Sequence, residues 1–451
     1  MHAQMRRIIY DELLMWKNSR IRKPLLLEGV RQCGKTYILK EFGKKNYDDV
    51  AYFTFVKNPE LFEIFQEGLD VKNILDRLSF IHRKKIEPGK TLIILDEIQL
   101  CGQALTSLKF FCDDAPEYHV AGAGSLLGIM LSKTDSFPVG KVSRLKMFPM
   151  SFKEFLLANS EDLIVEYIEN NALADDKDLS APVVAKLNTH LDNYFVVGGM
   201  PAAVSSWISD GDIKAIETIL GEIIEDYKDD LAKHASEHMP KLTLIWRSIP
   251  VQLARENNKF IFSHAKTGAR AKDLEDALEW LVNAGLVYKV NKVDPPDVPL
   301  AMFADAMSFK IYMADIGILR KMAGMPPNFM FSTDKKYDRF RGAVMENYVL
   351  NEIVSSTKNV PYYWRSGSDA EMDFVAQIDG MAVPIEAKAG NNKSKSLIEF
   401  IKRYEPEVAT ITSNRSTNSS VITYVPKYSV WNIVERLREK LQKSGRQDFF
   451  N

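Results

Sequence analysis

The run GVRQCGKT, at Gly29–Thr36, constrains the fold more than any other part of the sequence. It follows the apolar run PLLLE and precedes the helix-like run YILKEF, so it joins a predicted strand to a predicted helix. This pattern is typical of a loop whose glycines let backbone N–H groups turn around a phosphate at a helix N-terminus. The alternative is a glycine-rich turn with a chance lysine.

A loop of this kind predicts a site for ATP and Mg²⁺. We expect Lys35 to reach the β- and γ-phosphates and the Thr36 hydroxyl to bind Mg²⁺. The N–H groups of the loop would surround the β-phosphate, helped by the partial positive charge of the helix N-terminus. The predicted nucleotide-binding residues are Gly29, Val30, Arg31, Gln32, Cys33, Gly34, Lys35 and Thr36.

A second motif, LIILDE at Leu92–Glu97, consists of four apolar residues followed by two acids. It predicts a buried strand that ends at the Mg²⁺ site, where Asp96 holds the ion through water and Glu97 orients and polarises the attacking water. Lys35 and Glu97 are therefore the predicted catalytic residues. The alternative for the acid pair is a helix-capping turn.

Composition restricts the class of protein and its partners. The 451 residues carry 59 basic and 60 acidic side chains, so the net charge is −1 and any nucleic-acid contact must be local. Neither a signal peptide nor a transmembrane segment is predicted. Three cysteines without metal-ligand spacing fit a reducing cytosol, and the predicted localisation is cytoplasmic. Cys33, beside Lys35, is predicted to be a reactive thiol that ATP protects, or else a small buried residue.

The order of several motifs carries a resemblance to a known group. These motifs are GVRQCGKT, LIILDEIQ, the stretch 140–155, YFVVGGMPAAV, FKIYMADIGILR and WRSGSDAEMDFV…PIEAKA. Over nearly its whole length the chain resembles the bacterial and archaeal AAA-type ATPases with a C-terminal domain of unknown function, the AAA_14/DUF4143 group.

This resemblance implies an α/β fold class. A P-loop NTPase parallel sheet with helices on both faces would be followed by a helical and winged-helix-like region and a C-terminal α/β restriction-endonuclease-like domain. The expected domains are an AAA-like P-loop ATPase core at 1–155, an α-helical region at 156–240, a winged-helix-like region at 241–300 and a restriction-endonuclease-like domain at 301–451.

The same likeness suggests further residues around the nucleotide. Ser125, after the strand-like run YHVAGAG, has the position of a polar sensor in AAA-like ATPases, although it also fits a simple turn. Arg31, Lys141 and Arg144 are the candidates for a cation that stabilises the transition state, and the sequence does not choose among them.

The helix expected at 272–284 is acidic, with four Asp or Glu residues against Lys272 alone. Phosphates would repel such a helix, and phosphate attraction supplies most non-specific DNA affinity. We therefore expect the middle helical region to contact a protein partner or to act as a lid. Nucleic-acid binding and oligomerisation stay open, and no membrane partner is expected.

Near the C-terminus, Glu371–Lys388 consists of two alternating strands joined by Asp379-Gly380, a favoured hairpin turn. In that register Asp373 faces Glu386 and Glu371 faces Lys388. Apolar residues occupy one face, every charge occupies the other, and Pro384 implies a sheet edge.

The carboxylates and lysine of this hairpin resemble the metal-and-lysine set of the PD-(D/E)xK nucleases. The candidate set is Glu346, Asp373, Glu386 and Lys388. It would form a working nuclease centre, an inactive or binding version of one, or simply a solvated charged face. In the last case Glu371 would neutralise Lys388 as an ordinary cross-strand ion pair.

The predicted function is that of a Mg²⁺-dependent AAA-like ATPase whose nucleotide state changes the placement of its C-terminal domains. One alternative is a metal-dependent nuclease regulated by ATP, in DNA processing or defence. Another is a nucleotide-switched scaffold for protein binding with little turnover. Glu97 favours hydrolysis over pure binding, because a binder needs no water-polarising acid.

Overall fold

The computed structural model describes residues 5–56, 58–125, 138–234, 238–255, 259–367, 370–388, 394–413 and 421–443. The chain forms two compact units. The N-terminal unit comprises Arg6–Pro149 with Asn283–Gly285, and the C-terminal unit comprises Met1–Met5, Met150–Val282 and Leu286–Asn451. The boundaries between the four expected domains remain a prediction.

The N-terminal unit is built on a five-stranded parallel sheet of order β2-β3-β4-β1-β5. Its strands are β1 Leu25–Gly29, β2 Asp49–Thr54, β3 Thr91–Asp96, β4 His119–Gly124 and β5 Ser143–Met147. Its helices are α1 Ile9–Asn18, α2 Lys35–Asn46, α3 Pro59–Gln66, α4 Val71–His82 and α5 Gly102–Asp114.

Helices cover both faces of this sheet, as the expected fold class requires. On one face, Ile93 and Leu95 of β3 join a buried core with residues of α3, α4 and α5. On the other, Gly43 of α2 lies against the side chains of Val50 and Leu92. Sheets covered on both sides need continuous apolar strands, which explains why LIIL is apolar throughout.

The parallel register brings the sequence motifs to one edge of the sheet. Glu28, before the loop, pairs with Gly124, and Asp96 pairs with Ala123, so three neighbouring strands end together. The carboxyl ends of parallel strands are the usual place for a ligand site in such folds. The fold alone therefore places the loop, Asp96 and Ser125 at the same edge of the sheet.

The C-terminal unit combines helices with a mixed seven-stranded sheet of order β12-β11-β10-β9-β8-β6-β7. Its helices before the sheet are α6 Phe152–Ala158, α7 Asp162–Asn170, α8 Ala181–Val197, α9 Pro201–Asp210, α10 Ile213–His234, α11 Met239–Leu253, α12 Phe262–Ala265 and α13 Ala271–Asn283. The strands are β6 Val287–Val293, β7 Ala304–Met313, β8 Tyr362–Arg365, β9 Glu371–Ile378, β10 Met381–Ala387, β11 Ala409–Thr412 and β12 Ile422–Val425. The remaining helices are α14 Ile316–Met322, α15 Asp338–Thr357, α16 Lys395–Tyr404 and α17 Ile433–Lys443.

The predicted hairpin register is confirmed, because Met381 pairs with Ile378 and Ile385 pairs with Phe374. One alternative for the hairpin, the solvated charged face, is wrong. The charged face is not solvated, since Val375 and Glu386 on that face are buried. The edge expected at Pro384 is present locally, because the described pairing of β10 with β11 begins one residue later, at Ile385.

Two glycine-containing motifs of the C-terminal unit pack against each other. A Cβ atom at Gly199 would lie 2.1 Å from the Met150 carbonyl oxygen, and one at Gly317 would lie 2.5 Å from the Val197 carbonyl oxygen. The Asp315 carboxylate caps this contact by accepting a hydrogen bond from the Gly199 N–H at 2.6 Å. Close packing of the backbone therefore requires the glycines of YFVVGGM and ADIG, because a side chain at either position would clash with a carbonyl oxygen.

In the part of the chain that the structure describes, no helix is both long and apolar enough to cross a bilayer.

Candidate functional site

The phosphate-binding loop and the second acidic motif meet at the end of β3. The Thr36 hydroxyl, in the first turn of α2, lies 3.0 Å from Asp96 Oδ1 and 3.1 Å from Asp96 Oδ2. Strand β3 brings Asp96 to this point because β3 and β1 both pair in parallel with β4, which lies between them, and end at the same edge of the sheet. The two residues predicted to hold Mg²⁺ are thus already in contact.

Lys35 is buried and closes the loop on itself. Its Nζ donates hydrogen bonds to the carbonyl oxygens of Gly29 at 2.8 Å and Val30 at 2.9 Å. The chain turns at Gly34, whose φ of 97° is in the left-handed region that favours glycine. The second glycine of the motif is therefore explained by backbone geometry.

Glu97 follows β3 in a left-handed conformation, with φ 54° and ψ 40°. Such a conformation is uncommon for a residue with a side chain and clusters at functional sites. The Gln99 side-chain amide donates a hydrogen bond to Glu97 Oε2. The sequence analysis did not predict a role for Gln99, although this residue follows Glu97 by only two positions in the run LDEIQ.

Tyr52 is a second residue that sequence reasoning missed. Its hydroxyl donates a hydrogen bond of 2.7 Å to Asp96 Oδ2. Burial, followed by the hydrogen bond and charge of Asp96, raises the pKa of the Tyr52 phenol well above its usual value. The phenol is therefore a donor to Asp96 throughout the physiological pH range, and Asp96 accepts from two hydroxyl groups.

Other predictions around the loop have different outcomes. Cys33 is fully buried and its Sγ faces the Met147 carbonyl oxygen at 3.9 Å, which agrees with the small-buried-residue alternative. Protection of a reactive Cys33 thiol by ATP stays a prediction. Lys141 pairs with Asp113 at 2.6 Å and Arg144 pairs with Glu28 at 2.5 Å. The structure does not choose a transition-state cation among these candidates.

The C-terminal unit contains a second candidate site, here named the carboxylate cluster. Its members are Lys310, Glu346, Glu371, Asp373, Glu386 and Lys388. Lys310 of β7 is 1% exposed, and its Nζ lies 2.6 Å from Glu371 Oε1 and 3.3 Å from Glu346 Oε1. The sequence analysis did not predict a role for Lys310, although a single lysine within the apolar run FKIYM indicates a buried charge that needs a partner.

Glu346 has a further partner, because the Tyr312 hydroxyl donates a hydrogen bond to its Oε1. Helix α15 brings this glutamate to strand β7, which the predicted site did not include. Glu346 is thereby held by two residues of one strand, Lys310 and Tyr312.

The hairpin residues of the cluster lie together. Lys388 Nζ is 2.5 Å from Glu386 Oε1, and Asp373 Oδ2 accepts a hydrogen bond of 2.8 Å from the Ala387 N–H. Burial, then the nearby carboxylates of Glu386 and Glu346, raises the pKa of Asp373 well above its usual value. The proposed Glu371–Lys388 ion pair is wrong, because Glu371 pairs with Lys310 and Lys388 pairs with Glu386.

The donor groups of the cluster decide which metal ion it could hold. Among the described residues, no three His, Cys, Asp or Glu side chains converge as metal ligands. Glu386 is 3% exposed, and its Oε2 has no hydrogen-bond partner in the described part of the chain. Mg²⁺ usually binds one or two carboxylates together with substrate phosphates, so Asp373 and Glu386 fit it as a pair.

The acidic helix predicted at 272–284 corresponds to α13. Asp276 pairs with Lys241 at 3.0 Å and with His238 at 3.0 Å, and Glu279 pairs with Lys289 at 2.6 Å. Part of its negative charge is thus neutralised within the same unit.

The fold and the loop together define a P-loop nucleotide-binding protein. Residues 21–156 match the AAA domain family, residues 188–328 match a domain of unknown function (DUF8612), and residues 341–428 match a domain of unknown function (DUF4143). The chain therefore contains a region that matches the AAA domain family and, after it, a region that matches DUF4143, in the order that its motifs indicated.

Relatives and solved structures give further comparisons. The uncharacterized protein MJ1544 of Methanocaldococcus jannaschii is 22% identical, over 92% of this chain and 88% of that protein. The uncharacterized protein Rv2008c of Mycobacterium tuberculosis is 31% identical over 19% of each chain.

Two solved structures show a distant likeness. The Walker-type ATPase PABY2304 of Pyrococcus abyssi has a TM-score of 0.46 and 14% identity, with 70% of this chain and 95% of that chain covered. The Aeropyrum pernix ORC1 protein in complex with DNA has a TM-score of 0.28 and 12% identity, with 72% and 92% covered. At these scores neither likeness adds to the assignment.

Proposed function

We propose that the chain hydrolyses ATP in a Mg²⁺-dependent reaction at the edge formed by β1, β3 and the phosphate-binding loop. The observation that carries this proposal is the contact of the Thr36 hydroxyl with both carboxylate oxygens of Asp96. A hydroxyl at a helix N-terminus and a carboxylate at a strand end are the two protein groups that P-loop enzymes use to hold Mg²⁺.

Each residue of the site would have a separate role, set by its charge and its position. Lys35 and the N–H groups of the loop would bind the β- and γ-phosphates. Mg²⁺, when bound, would neutralise charge that develops on those phosphates. Glu97 would orient the attacking water, with its carboxylate held by the Gln99 amide.

Turnover of ATP by the purified full chain tests this proposal. Lys35→Ala should lose nucleotide binding, because the lysine supplies ground-state charge. Glu97→Gln should keep binding and lower turnover at least about 100-fold, because it removes only the acid acting on water. Glu87→Gln is the control, since Glu87 is an acid of the same unit that pairs with Lys90 at 2.9 Å.

Hydrolysis that continues at the wild-type rate in Glu97→Gln would contradict the assignment. Nucleotide binding without turnover in the wild-type chain would favour the switched scaffold. The effect of DNA on turnover, measured in the same assay, tests whether nucleic acid is a partner. A cytoplasmic location and coupling between nucleotide state and the C-terminal domains belong to the same proposal.

A second candidate function is metal-dependent phosphodiester cleavage at the carboxylate cluster. It is favoured by one observation, the buried Glu386 Oε2 without a partner beside Asp373, whose pKa is raised. Asp373 and Glu386 would hold the ion, which would activate water, and Lys388 would stabilise developing charge.

Cleavage of single-stranded and duplex DNA and RNA, with Mg²⁺ or Mn²⁺ and with or without ATP, tests this function. Lys388→Ala and Asp373→Asn should each abolish a cut that belongs to this centre. A chelator-sensitive cut that survives Asp373→Asn would indicate contamination, and no cleavage on any substrate would favour an inactive or binding version.

A further inference from the structure

Arg7, in the segment before α1, holds the phosphate-binding loop from outside the motif. It is buried, and its guanidinium donates hydrogen bonds of 2.7 Å to the Cys33 carbonyl oxygen and 2.7 Å to the Phe148 carbonyl oxygen. All three residues belong to the N-terminal unit. One side chain therefore joins the loop to the segment that follows β5.

The bond to Cys33 sets the direction of a peptide group inside the loop. A trans peptide is planar, so its C=O and N–H point in opposite directions. With the Cys33 carbonyl held by Arg7, the Gly34 N–H of the same peptide points away from Arg7. Phosphate-binding loops act through N–H groups aimed at the anion, so Arg7 fixes the direction of one group that such a site uses.

Two other contacts join the loop to Met147 at the end of β5. A Cβ atom at Gly29 would lie 2.3 Å from the Met147 carbonyl oxygen, and the Cys33 Sγ lies 3.9 Å from that oxygen. Both the first and the fifth residue of the motif therefore contact the segment 147–148. Pro149, the next residue, is where the chain leaves the N-terminal unit.

We propose that Arg7 is a positioning residue of the phosphate-binding loop, and that it transmits the position of the Met147–Phe148 segment to the Cys33–Gly34 peptide. The inference rests on the proposed nucleotide site and adds a means of regulating it. A displacement of the β5 end would pull on the guanidinium and turn the peptide that faces the phosphate. Affinity for nucleotide would then depend on the chain that follows Phe148.

A buried arginine that only stabilises the fold would behave differently. Its loss would lower stability without a specific effect on phosphate binding. The chain offers a control, because the less buried Arg22 also bridges two carbonyl oxygens, those of Lys17 at 3.2 Å and Pro116 at 2.9 Å. Neither acceptor belongs to the loop, to β1 or to β3.

The test compares Arg7→Met, Arg7→Lys and Arg22→Met in the full chain. We would measure the Kd values of Mg-ATP and Mg-ADP, the apo melting temperature, and amide hydrogen exchange of the peptide covering 29–36. Arg7→Met should raise both Kd values about tenfold and speed exchange in the loop, because a charge-assisted bond that orients the Gly34 N–H is lost. Arg7→Lys should give an intermediate result, since one ammonium replaces a fork that reaches two carbonyls.

Arg22→Met should leave the Kd values and loop exchange unchanged, whatever its effect on the melting temperature. Equal Kd values and equal loop exchange in Arg7→Met and Arg22→Met would overturn the proposal. If Arg7→Met does not fold, Arg7→Lys decides by the same comparison. If the wild-type chain binds no nucleotide, the proposed ATPase function fails, and loop exchange still decides the role of Arg7.

Discussion

The Tyr52 hydroxyl and Asp96 Oδ2 lie 2.7 Å apart, although the two residues are 44 positions apart in the sequence. Thr54, two residues after Tyr52 on β2, is the direct partner of Asp96 on β3, so the phenol reaches the carboxylate diagonally across the strand pair. Asp96 is thus fixed from β2 by a phenol and from α2 by the Thr36 hydroxyl. These hydrogen bonds orient the Asp96 carboxylate without any contribution from a ligand.

Tyr52→Phe is expected to lower kcat/KM for Mg-ATP about three- to tenfold and to raise the Mg²⁺ concentration needed for half-maximal turnover. The reason is that Asp96 loses one of two hydroxyl donors, a change of about 1 kcal/mol. Tyr47→Phe is the control, because the Tyr47 hydroxyl bonds His119 Nδ1 at 2.7 Å instead of Asp96. An identical Mg²⁺ dependence in Tyr52→Phe and wild type would contradict the prediction.

Gly317→Ala is expected to destabilise the chain by about 2 kcal/mol or more, because its Cβ atom would lie 2.5 Å from the Val197 carbonyl oxygen, a backbone atom that cannot move alone. Gly342→Ala is the matched control, since no described atom lies within 4 Å of its Cβ position on α15. That substitution should stabilise by about 0.5–1 kcal/mol through helix propensity. Chemical denaturation measures both, and equal effects would show that the packing of the two glycine motifs is not tight.

The parts of the fold that the sequence predicted depend on local chemistry. The glycines and lysine of GVRQCGKT define a loop, and Asp379-Gly380 defines a hairpin turn that fixes the register of both strands. The apolar run before Asp96 predicts a strand buried on both faces. Each of these signals lies within a few residues, so a single sequence contains it.

The missed residues depend on contacts between distant segments. Arg7 reaches Phe148 across 141 positions, and Lys310 reaches Glu371 across 61 positions. The hairpin pattern also gave the wrong environment for its charges, because helix α15 and strand β7 bring Glu346 and Lys310 to that face. No periodicity within β9 or β10 reports what covers them.

Glu352 predicts a pH dependence of stability. Burial, with the Glu154 carboxylate as a smaller cause, raises the pKa of Glu352 to about 8 from 4.5, and its Oε2 has no partner among the described residues. A carboxyl whose pKa is raised by folding favours the folded state when protonated, so its contribution is complete below about pH 4.5 and is lost as the pH rises toward 8. In Glu352→Gln this loss should be absent.

The measurement is the free energy of unfolding of both chains from pH 5 to pH 9. Relative to wild type, Glu352→Gln should gain a few kcal/mol across this range, since one pKa unit corresponds to about 1.4 kcal/mol. The exposed Glu222, changed to Gln, is the control for loss of a carboxylate. A difference between Glu352→Gln and wild type that stays constant with pH would contradict the prediction.

Lys310→Met is expected to lower the free energy of unfolding by about 3 kcal/mol. Lys310 is 1% exposed and is shared by Glu346 and Glu371, so its removal takes away the buried cation that these two partly buried carboxylates have in common. Lys241→Met is the control, because the Lys241–Asp276 pair is 38% and 42% exposed and should be worth less than about 1 kcal/mol.

Urea denaturation in the absence and presence of Mn²⁺ measures the loss of unfolding free energy in both variants. Mn²⁺ should restore part of the loss in Lys310→Met, because a divalent cation replaces the missing charge, and it should restore nothing in Lys241→Met. A loss in Lys310→Met no larger than in Lys241→Met would show that the carboxylate cluster is not held together by this lysine.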